Sequence, residues 1–282
     1  MTTTNHTHRT INLLIQIQEL HVARVQKRAT QPNTRLKQLN DTIDSLVEEI
    51  PVPYKDQFER LIGRDTMAIV PLAGSSCSAC GMVLPIGRVN EIRTAETVYT
   101  CESCARLLYY PAGLPKGVPQ KRNVTPTTGI ARFSNPELMI ARLEGKTAEA
   151  VIAEMAEVMK ERGYIDDAAK LTEEALKREA LMSTAVDNGI AFPHVRGVEG
   201  GALTLTLGIS KKGIKFGGPG GKLTRIFFFV TIPMVNSGFY IKLLAGLCNA
   251  FDDKDARELL SKQEDPDALW DVLVKTTKLT IK

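Results

Sequence analysis

The C-terminal half of the chain is organised around the segment Arg178-Glu-Ala-Leu-Met-Ser-Thr-Ala-Val-Asp-Asn-Gly-Ile-Ala-Phe-Pro-His194. A predicted helix ends inside this segment, and Asn188-Gly189 then favours a tight turn. Ile190 to Phe192 reads as a short strand, after which a proline fixes the backbone and leaves His194 at a strand end. Reactive side chains on α/β scaffolds commonly lie at strand ends, so His194 is a candidate functional residue.

The residues around His194 suit phosphoryl chemistry. A neutral imidazole attacks phosphorus as a nucleophile and gives a labile phosphoramidate. The guanidinium of Arg178 can stabilise a transferring phosphoryl group by bidentate hydrogen bonds, and the hydroxyls of Ser183 and Thr184 can complete the anion site. On these residues alone, the alternative that His194 is a buried structural histidine stays open.

Helices and strands are mixed on both sides of this segment, which indicates an α/β sandwich of about 150 residues. The predicted helices are Ala148 to Arg162, Asp166 to Met182 with Asp166 as its cap, Phe239 to Phe251, Lys254 to Lys262 and Pro266 to Thr276. The further predicted strands are Leu203 to Ile209, Ile214 to Phe216 and Arg225 to Ile232.

Two features divide the N-terminal half. Helical spacing runs from Ile11 to about Thr30 after a polar tail, and resumes in a stripe of Leu36, Leu39, Ile43, Leu46 and Ile50. The breaker Gln31-Pro32-Asn33-Thr34 separates the two helices, which we interpret as a hairpin with a coiled-coil-like stripe. A third short helix is expected over Tyr54 to Gly63, and a homodimer through the hairpin is an expectation left open.

Four cysteines form two CxxC pairs, Cys77/Cys80 and Cys101/Cys104, with twenty residues between the pairs. Two such turns place four thiolates about 2.3 Å from one metal ion. Because four thiolates leave no coordination position for water, we expect one structural Zn²⁺. A rubredoxin-like iron site and a redox CxxC pair are the alternatives. Reduced, metal-holding thiols favour a cytoplasmic protein.

Composition bounds the remaining choices. The stretch 111–136 holds five prolines and three glycines and reads as an interdomain linker. The net charge is +4, with 13 Lys/Arg against 11 Asp/Glu in residues 1–120, so no basic region points to nucleic acid. The apolar run Ile226 to Val235 is about half the roughly 20 residues that cross a bilayer, and the opening MTTTNHTHRT lacks the basic start and apolar core typical of a secretory signal. We therefore expect no membrane insertion.

The cysteine region resembles the C4-type zinc ribbon found behind an N-terminal helical hairpin in bacterial proteins. The resemblance covers roughly residues 10–112 and rests on Cys77 to Pro85, Val98 to Cys104 and Arg106 to Tyr110. Members of that family are thought to be interaction or nucleic-acid-binding adaptors. The implied role here is a partner-binding module.

The pattern RE-x3-ST-x4-GIA-x-PH resembles the phosphorylation site of enzyme IIA domains of the fructose/mannitol/nitrogen-regulatory class of the bacterial phosphotransferase system. The resemblance runs from about Asn135 to the C-terminus and includes a turn at Lys211-Lys212-Gly213. It implies a mixed sheet flanked by helices, with Arg178 beside His194. It also implies a phosphoryl group that His194 accepts from phospho-HPr and passes to an enzyme IIB domain.

The chain departs from that family at two positions. The family usually supplies a second histidine at the start of the helix after the Pro233-like position, where this chain has Tyr240 or a neighbour in Ser237 to Lys242. The residue after His194 is Val195, where a small residue is common. The Tyr240 hydroxyl can donate a hydrogen bond to a phosphoryl group, but it cannot share a proton near neutral pH.

The sequence thus predicts a multidomain α+β chain with four regions: a helical hairpin over 10–64, a C4 zinc ribbon over 65–112, a linker over 113–132 and an enzyme IIA-like α/β sandwich over 133–282. The predicted function is a phosphocarrier phosphorylated on His194 by a phospho-HPr-like donor. Since no transporter segment or IIB-like cysteine site accompanies it, we expect a regulatory role and not dedicated sugar uptake. The expected acceptor is an enzyme IIB-like domain or a regulatory protein target. The alternative is a non-catalytic adaptor or nucleic-acid-binding regulator with a degenerate IIA-like domain.

Overall fold

The computed structural model describes residues 2–30, 36–95, 97–111, 116–118, 128–233 and 237–281. The chain forms two compact units, one over Met1–Arg28 and Pro32–Ala112 and the other over Ala29–Gln31 and Gly113–Lys282. The predicted helix breaker at 31–34 and most of the predicted linker lie outside the described residues. No helix in the described parts of the chain combines the length and apolar character needed to cross a bilayer.

Three helices begin the N-terminal unit: α1 (Thr2–Thr30), α2 (Lys37–Glu48) and α3 (Val52–Arg64). The predicted polar tail is wrong, because α1 starts nine residues before Ile11. Thr7 and Thr10 are buried at the positions that continue the spacing of Leu14 and Ile17. The Thr10 hydroxyl is satisfied inside the helix, where it donates to the His6 carbonyl over 3.1 Å. Threonines can therefore extend the buried face of a helix beyond the point at which the pattern of apolar residues ends.

Four short strands and one helix form the ribbon: β1 (Ile69–Ala73), β2 (Ser76–Cys77), α4 (Ile86–Thr94), β3 (Tyr99–Thr100) and β4 (Leu107–Tyr109). Their order in the sheet is β2-β1-β4-β3, with β1 and β4 parallel at the centre. The buried side chain of Gln18 in α1 binds β1 as another strand would. Its Oε1 accepts from the Ala68 and Ile69 amides at 2.7 and 2.9 Å, and its Nε2 donates to the Ile69 carbonyl at 2.9 Å.

The C-terminal unit is a mixed sheet flanked by helices. Its helices are α5 (Ala148–Glu161), α6 (Ala168–Leu181), α7 (Ser237–Ala250), α8 (Lys254–Lys262) and α9 (Pro266–Thr277). Its strands are β5 (Lys116–Gly117), β6 (Met139–Ile140), β7 (Ala185–Val186), β8 (Ile190–Ala191), β9 (His194–Gly200), β10 (Thr204–Ile214) and β11 (Thr224–Pro233). The predicted fold class is confirmed.

The central strand is β11, buried along nearly its whole length. It pairs antiparallel with β10 on one side and parallel with β8 and β9 in succession on the other, while β5 and β6 extend the sheet. Two parts of the predicted linker belong to this unit, since Lys116–Gly117 pairs with β9 and Gly129–Arg132 forms a 3₁₀ turn. A strand buried on both faces explains the continuous apolar run from Ile226.

Two local predictions are wrong in this unit. The residues 211–213 are not a turn between two strands but lie inside β10, where the register slips between the pairs Ile209–Ile226 and Ile214–Thr224. Between these two pairs β10 advances by five residues while β11 advances by only two. The extra residues of β10 form a bulge, in which Gly213 has a φ of 74°. The cap of α6 is Asp167, whose Oδ1 accepts from the Lys170 amide, whereas Asp166 accepts from the Lys116 amide.

Candidate functional site

His194 lies where the chain passes from β8 to β9. Both strands run parallel to β11, and His194 is the first residue of β9, opposite Val230. Between the two strands, the carbonyl of Pro193 accepts from the Val230 amide over 3.0 Å, so the backbone stays anchored through the break. The His194 side chain is 1% exposed. The break thus places an imidazole inside the fold at a strand end.

Two hydrogen bonds define the state of the imidazole. Nδ1 is 3.0 Å from the Phe192 carbonyl oxygen. Because a carbonyl only accepts, Nδ1 carries the proton and Nε2 carries the lone pair. The Nε–H of Arg178 donates to Nε2 over 3.2 Å. The ring nitrogen that could attack phosphorus is therefore also the one that meets a guanidinium.

Arg178 is positioned by the end of α6. It lies in the last turn of that helix and its Nη1 donates to the Met182 carbonyl over 3.0 Å, which satisfies a helix-end oxygen. The side chain is 8% exposed, so the guanidinium is nearly removed from solvent. A charge with so little solvation interacts strongly with any anion that reaches it.

Burial lowers the pKa of His194 well below its ordinary value, and the positive charges of Arg178 and Arg196 lower it further. The Nδ1–H bond to Phe192 opposes this shift without cancelling it. The imidazole is therefore neutral near pH 7, which is the protonation state that a nucleophile requires.

Tyr240 and Arg196 complete the surroundings of His194. Tyr240, in the first turns of α7, is 1% exposed, and its ring centroid is 5.1 Å from that of His194. Arg196 lies on β9, and its guanidinium carbon is 5.1 Å from the ring centroid of Tyr240. Sequence reasoning missed Arg196, although a strand that starts at His194 puts residues 194 and 196 on one face.

Ser183 and Thr184 take part in hydrogen bonds within the protein. The Ser183 hydroxyl donates to the Phe216 carbonyl over 2.7 Å, and the Thr184 hydroxyl donates to Glu179 over 2.6 Å. Glu179 also accepts from the Thr184 amide over 2.8 Å. Since phosphoryl oxygens need donors, each hydroxyl would have to turn its proton away from these partners to bind phosphate, and that role stays a prediction.

The same cluster contains a carboxylate that sequence reasoning did not use as a site residue. Burial raises the pKa of Glu179, while its bonds to Thr184 and the nearby Arg178 charge oppose the shift. Glu179 follows Arg178 in α6 and holds the chain that leaves the helix. Its effect on the site is thus to fix the backbone between Arg178 and β7.

The four cysteines of the N-terminal unit converge on one point. Their Sγ atoms all lie within 4.8 Å of one another, with Cys77–Cys104 at 3.8 Å and Cys80–Cys101 at 3.6 Å. A tetrahedral zinc with bonds of about 2.3 Å has sulfur–sulfur edges of about 3.8 Å. The arrangement therefore fits one structural Zn²⁺ with a closed shell of thiolates.

The turns around the sulfurs repeat the same geometry. Gly81 donates to the Cys77 carbonyl and Ala105 to the Cys101 carbonyl, both over 2.8 Å. Backbone amides also face the sulfurs: the amide of Met82 lowers the pKa of Cys80 to about 6. For the buried Cys77, desolvation raises the pKa to about 12 despite such amides. A bound cation supplies the compensation that a buried thiolate needs.

Comparison with known proteins agrees with both halves of this description. Residues 132–276 match the family model for the phosphoenolpyruvate-dependent sugar phosphotransferase system, EIIA 2. That span is just over half of the chain, and the chain belongs to this family. Residues 76–108 match the model of the C4-type zinc ribbon domain. Both resemblances seen in the sequence are confirmed.

Individual relatives match about half of this chain. The PTS system fructose-specific EIIABC component of Bacillus subtilis (strain 168) is 27% identical over 131 residues, which are 46% of this chain and 21% of the relative. The crystal structure of nitrogen regulatory protein IIA-Ntr from Neisseria meningitidis is similar at 22% identity and TM-score 0.47, over 51% of this chain and 98% of that chain. IIA mannitol from Escherichia coli gives 21% identity and TM-score 0.41, over 49% and 97%.

Proposed function

We propose that the C-terminal unit is a phosphocarrier that accepts a phosphoryl group on Nε2 of His194 from a phospho-HPr-like donor. The observation that carries the proposal is the hydrogen bond from Nδ1 to Phe192, which leaves the Nε2 lone pair as the nucleophile, with the Arg178 guanidinium beside it. Membership of the EIIA family supports the same reaction. The acceptor would be an enzyme IIB-type domain or a regulatory target.

The transfer step needs no proton to leave the ring. The Nε2 lone pair forms the new N–P bond while the N–P bond of the donor breaks, and the donor imidazole departs with that electron pair. The Nδ1 proton stays in its bond to Phe192, which disperses the positive charge of the phosphorylated ring. Arg178 has to turn its Nε–H from Nε2 towards the phosphoryl oxygens as the N–P bond forms.

Phosphorylation of His194 is tested by incubating the chain with phosphoenolpyruvate, enzyme I and HPr. We expect acid-labile phosphate on the wild type and none on His194→Ala. His8→Ala, a histidine change on an exposed position of the other unit, is the matched control and should be labelled like the wild type. Equal labelling of the wild type and His194→Ala would show that the phosphoryl group goes elsewhere.

A second candidate function is a non-catalytic adaptor. It is favoured by the 1% exposure of His194 and by the Arg178 Nε–H that occupies Nε2. In that case no labelling occurs at any donor concentration, while a partner still binds the intact chain.

We further propose that the hairpin and the ribbon form the partner-binding module of the protein, and that the regions 10–64, 65–112 and 133–282 are its domains.

A further inference from the structure

Arg196 is a half-buried arginine whose guanidinium points inward. Its Nε and Nη2 atoms are shielded from solvent, although long cationic side chains usually extend their charged ends into water. In the strand β9 it lies two residues after His194, so both side chains leave the same face of the sheet. The strand thus delivers a second guanidinium to the side where the imidazole lies.

Tyr240 connects the two side chains. Its ring centroid is 5.1 Å from the His194 centroid, and the guanidinium carbon of Arg196 is 5.1 Å from the same Tyr240 centroid. A guanidinium over a buried tyrosine ring is held by cation–π attraction. Burial lowers the pKa of His194, and the positive charges of Arg178 and then Arg196 lower it further, so the Arg196 charge acts on the imidazole as this geometry implies.

We propose that Arg196 is a second phosphoryl-binding residue of the His194 site, and that Tyr240 is the positioning residue that holds its guanidinium there. This proposal rests on the proposed phosphocarrier function and names a further part of the same site. A phosphoryl group on Nε2 is a dianion inside a nearly dry site, and two guanidiniums with planar arrays of donors match its charge and its oxygens.

The proposal also explains how the site works with a tyrosine in α7. A histidine at the position of Tyr240 could become cationic near neutral pH, and a tyrosine cannot. Arg196, in contrast, is charged at every relevant pH. The proposed role of Tyr240 belongs to its ring, because the guanidinium of Arg196 packs against that ring. The hydroxyl contributes at most one further hydrogen bond to the phosphoryl group.

Two measurements on the full chain test the proposal. The first is the binding of inorganic phosphate, monitored through the NMR signals of the His194 ring and of the arginine Nε–H groups. The second is the initial rate of labelling from phospho-HPr. Arg196→Gln should weaken phosphate binding about tenfold and slow labelling about ten- to hundredfold, the usual effect of a lost charged hydrogen bond. Arg196→Lys should restore part of both. Arg225→Gln, an exposed arginine of β11, is the matched control and should leave both unchanged.

The role of Tyr240 is separated by two replacements. Tyr240→Phe keeps the ring and should retain most of the phosphate affinity, whereas Tyr240→Leu should lose about as much as Arg196→Gln. In the Arg196→Gln background, Tyr240→Leu should cause no further loss, because it acts through Arg196. A purely structural contact would instead lower the melting temperature and leave affinity and rate unchanged.

The outcomes distinguish this proposal from the one on which it rests. If the wild type is not labelled but binds phosphate more tightly than Arg196→Gln, the phosphocarrier function fails and the role of Arg196 in anion binding stands. If the wild type is labelled and Arg196→Gln matches it in rate and affinity, the role of Arg196 is overturned. It is also overturned if inorganic phosphate leaves the His194 signals of the wild type unmoved.

Discussion

At the scale of residues, the protonation state of His194 determines both its chemistry and its effect on stability. Its pKa in the folded protein is lowered by burial, then by Arg178 and Arg196. We expect its Cε1–H chemical shift to stay constant from pH 8 down to pH 6, whereas the urea-unfolded chain titrates near the ordinary value of about 6.5. A midpoint at or above 6.5 in the folded protein would contradict the neutral nucleophile.

The same shift predicts the direction of acid destabilisation. Because the unfolded state binds a proton below about pH 6.5 that the folded site resists, the free energy of unfolding falls as the pH drops, by up to about 1.4 kcal/mol per pH unit for this group. His21 acts with the same sign in the other unit, where burial and Arg24 lower its pKa to about 4. His194→Gln should flatten the pH dependence of the C-terminal unit alone.

At the scale of elements, the two cysteine turns have different residues at their left-handed position. Gly81 and Ala105 each follow the second cysteine of a pair and have φ values of 77° and 60°. An alanine pays for left-handed backbone that a glycine adopts freely. Ala105→Gly should therefore stabilise the zinc-loaded N-terminal unit by about 0.5 to 1 kcal/mol, and Gly81→Ala should destabilise it by about 1 to 2 kcal/mol.

Urea unfolding of the zinc-loaded protein measures both effects. Ala79→Gly, between Cys77 and Cys80 and outside the left-handed positions, is the control. It should lower the stability slightly, because it only adds conformational freedom to the unfolded chain. If Ala105→Gly is as destabilising as Ala79→Gly, the strain at position 105 is absent from the protein.

The elements also show what the sequence alone could predict. The limits of α8 and α9 were predicted to within a residue, because Asp253 and Asp265 cap them and their apolar spacing is local. The strand β9 was missed, since it is rich in glycine and its burial comes from the distant strand β11. Because β9 was not predicted, Arg196 was not predicted as a site residue either. His194 was singled out by its local pattern, and the family resemblance placed Arg178 beside it.

The geometry of the site was harder to predict from the sequence than the identity of its residues. Nothing local in the sequence states that the hydroxyls of Ser183 and Thr184 donate to Phe216 and Glu179. Those bonds depend on where a loop and a helix end meet in three dimensions. The four cysteines were the opposite case, because metal coordination imposes the geometry that their spacing encodes.

At the scale of the whole molecule, the two compact units have different sources of stability. The C-terminal unit has a large core that includes Phe227, Phe228 and Phe229 at 0% exposure. The ribbon core is much smaller, and its buried members include Cys77 and Cys101 themselves. Small domains of this kind depend on their metal, which supplies on the order of 10 kcal/mol of apparent binding energy.

Removal of zinc should therefore unfold the ribbon and leave the C-terminal unit folded. We expect one zinc per chain, and we expect a chelator to abolish the amide signals of β1 to β4 while those of β8 to β11 and the labelling of His194 persist. Cys101→Ser should mimic the chelator, and Cys248→Ser, a cysteine outside the cluster, should not. If zinc loss reduced labelling of His194 in step with ribbon unfolding, the two units would be energetically coupled, and the ribbon would have to be counted as part of the phosphotransfer machinery.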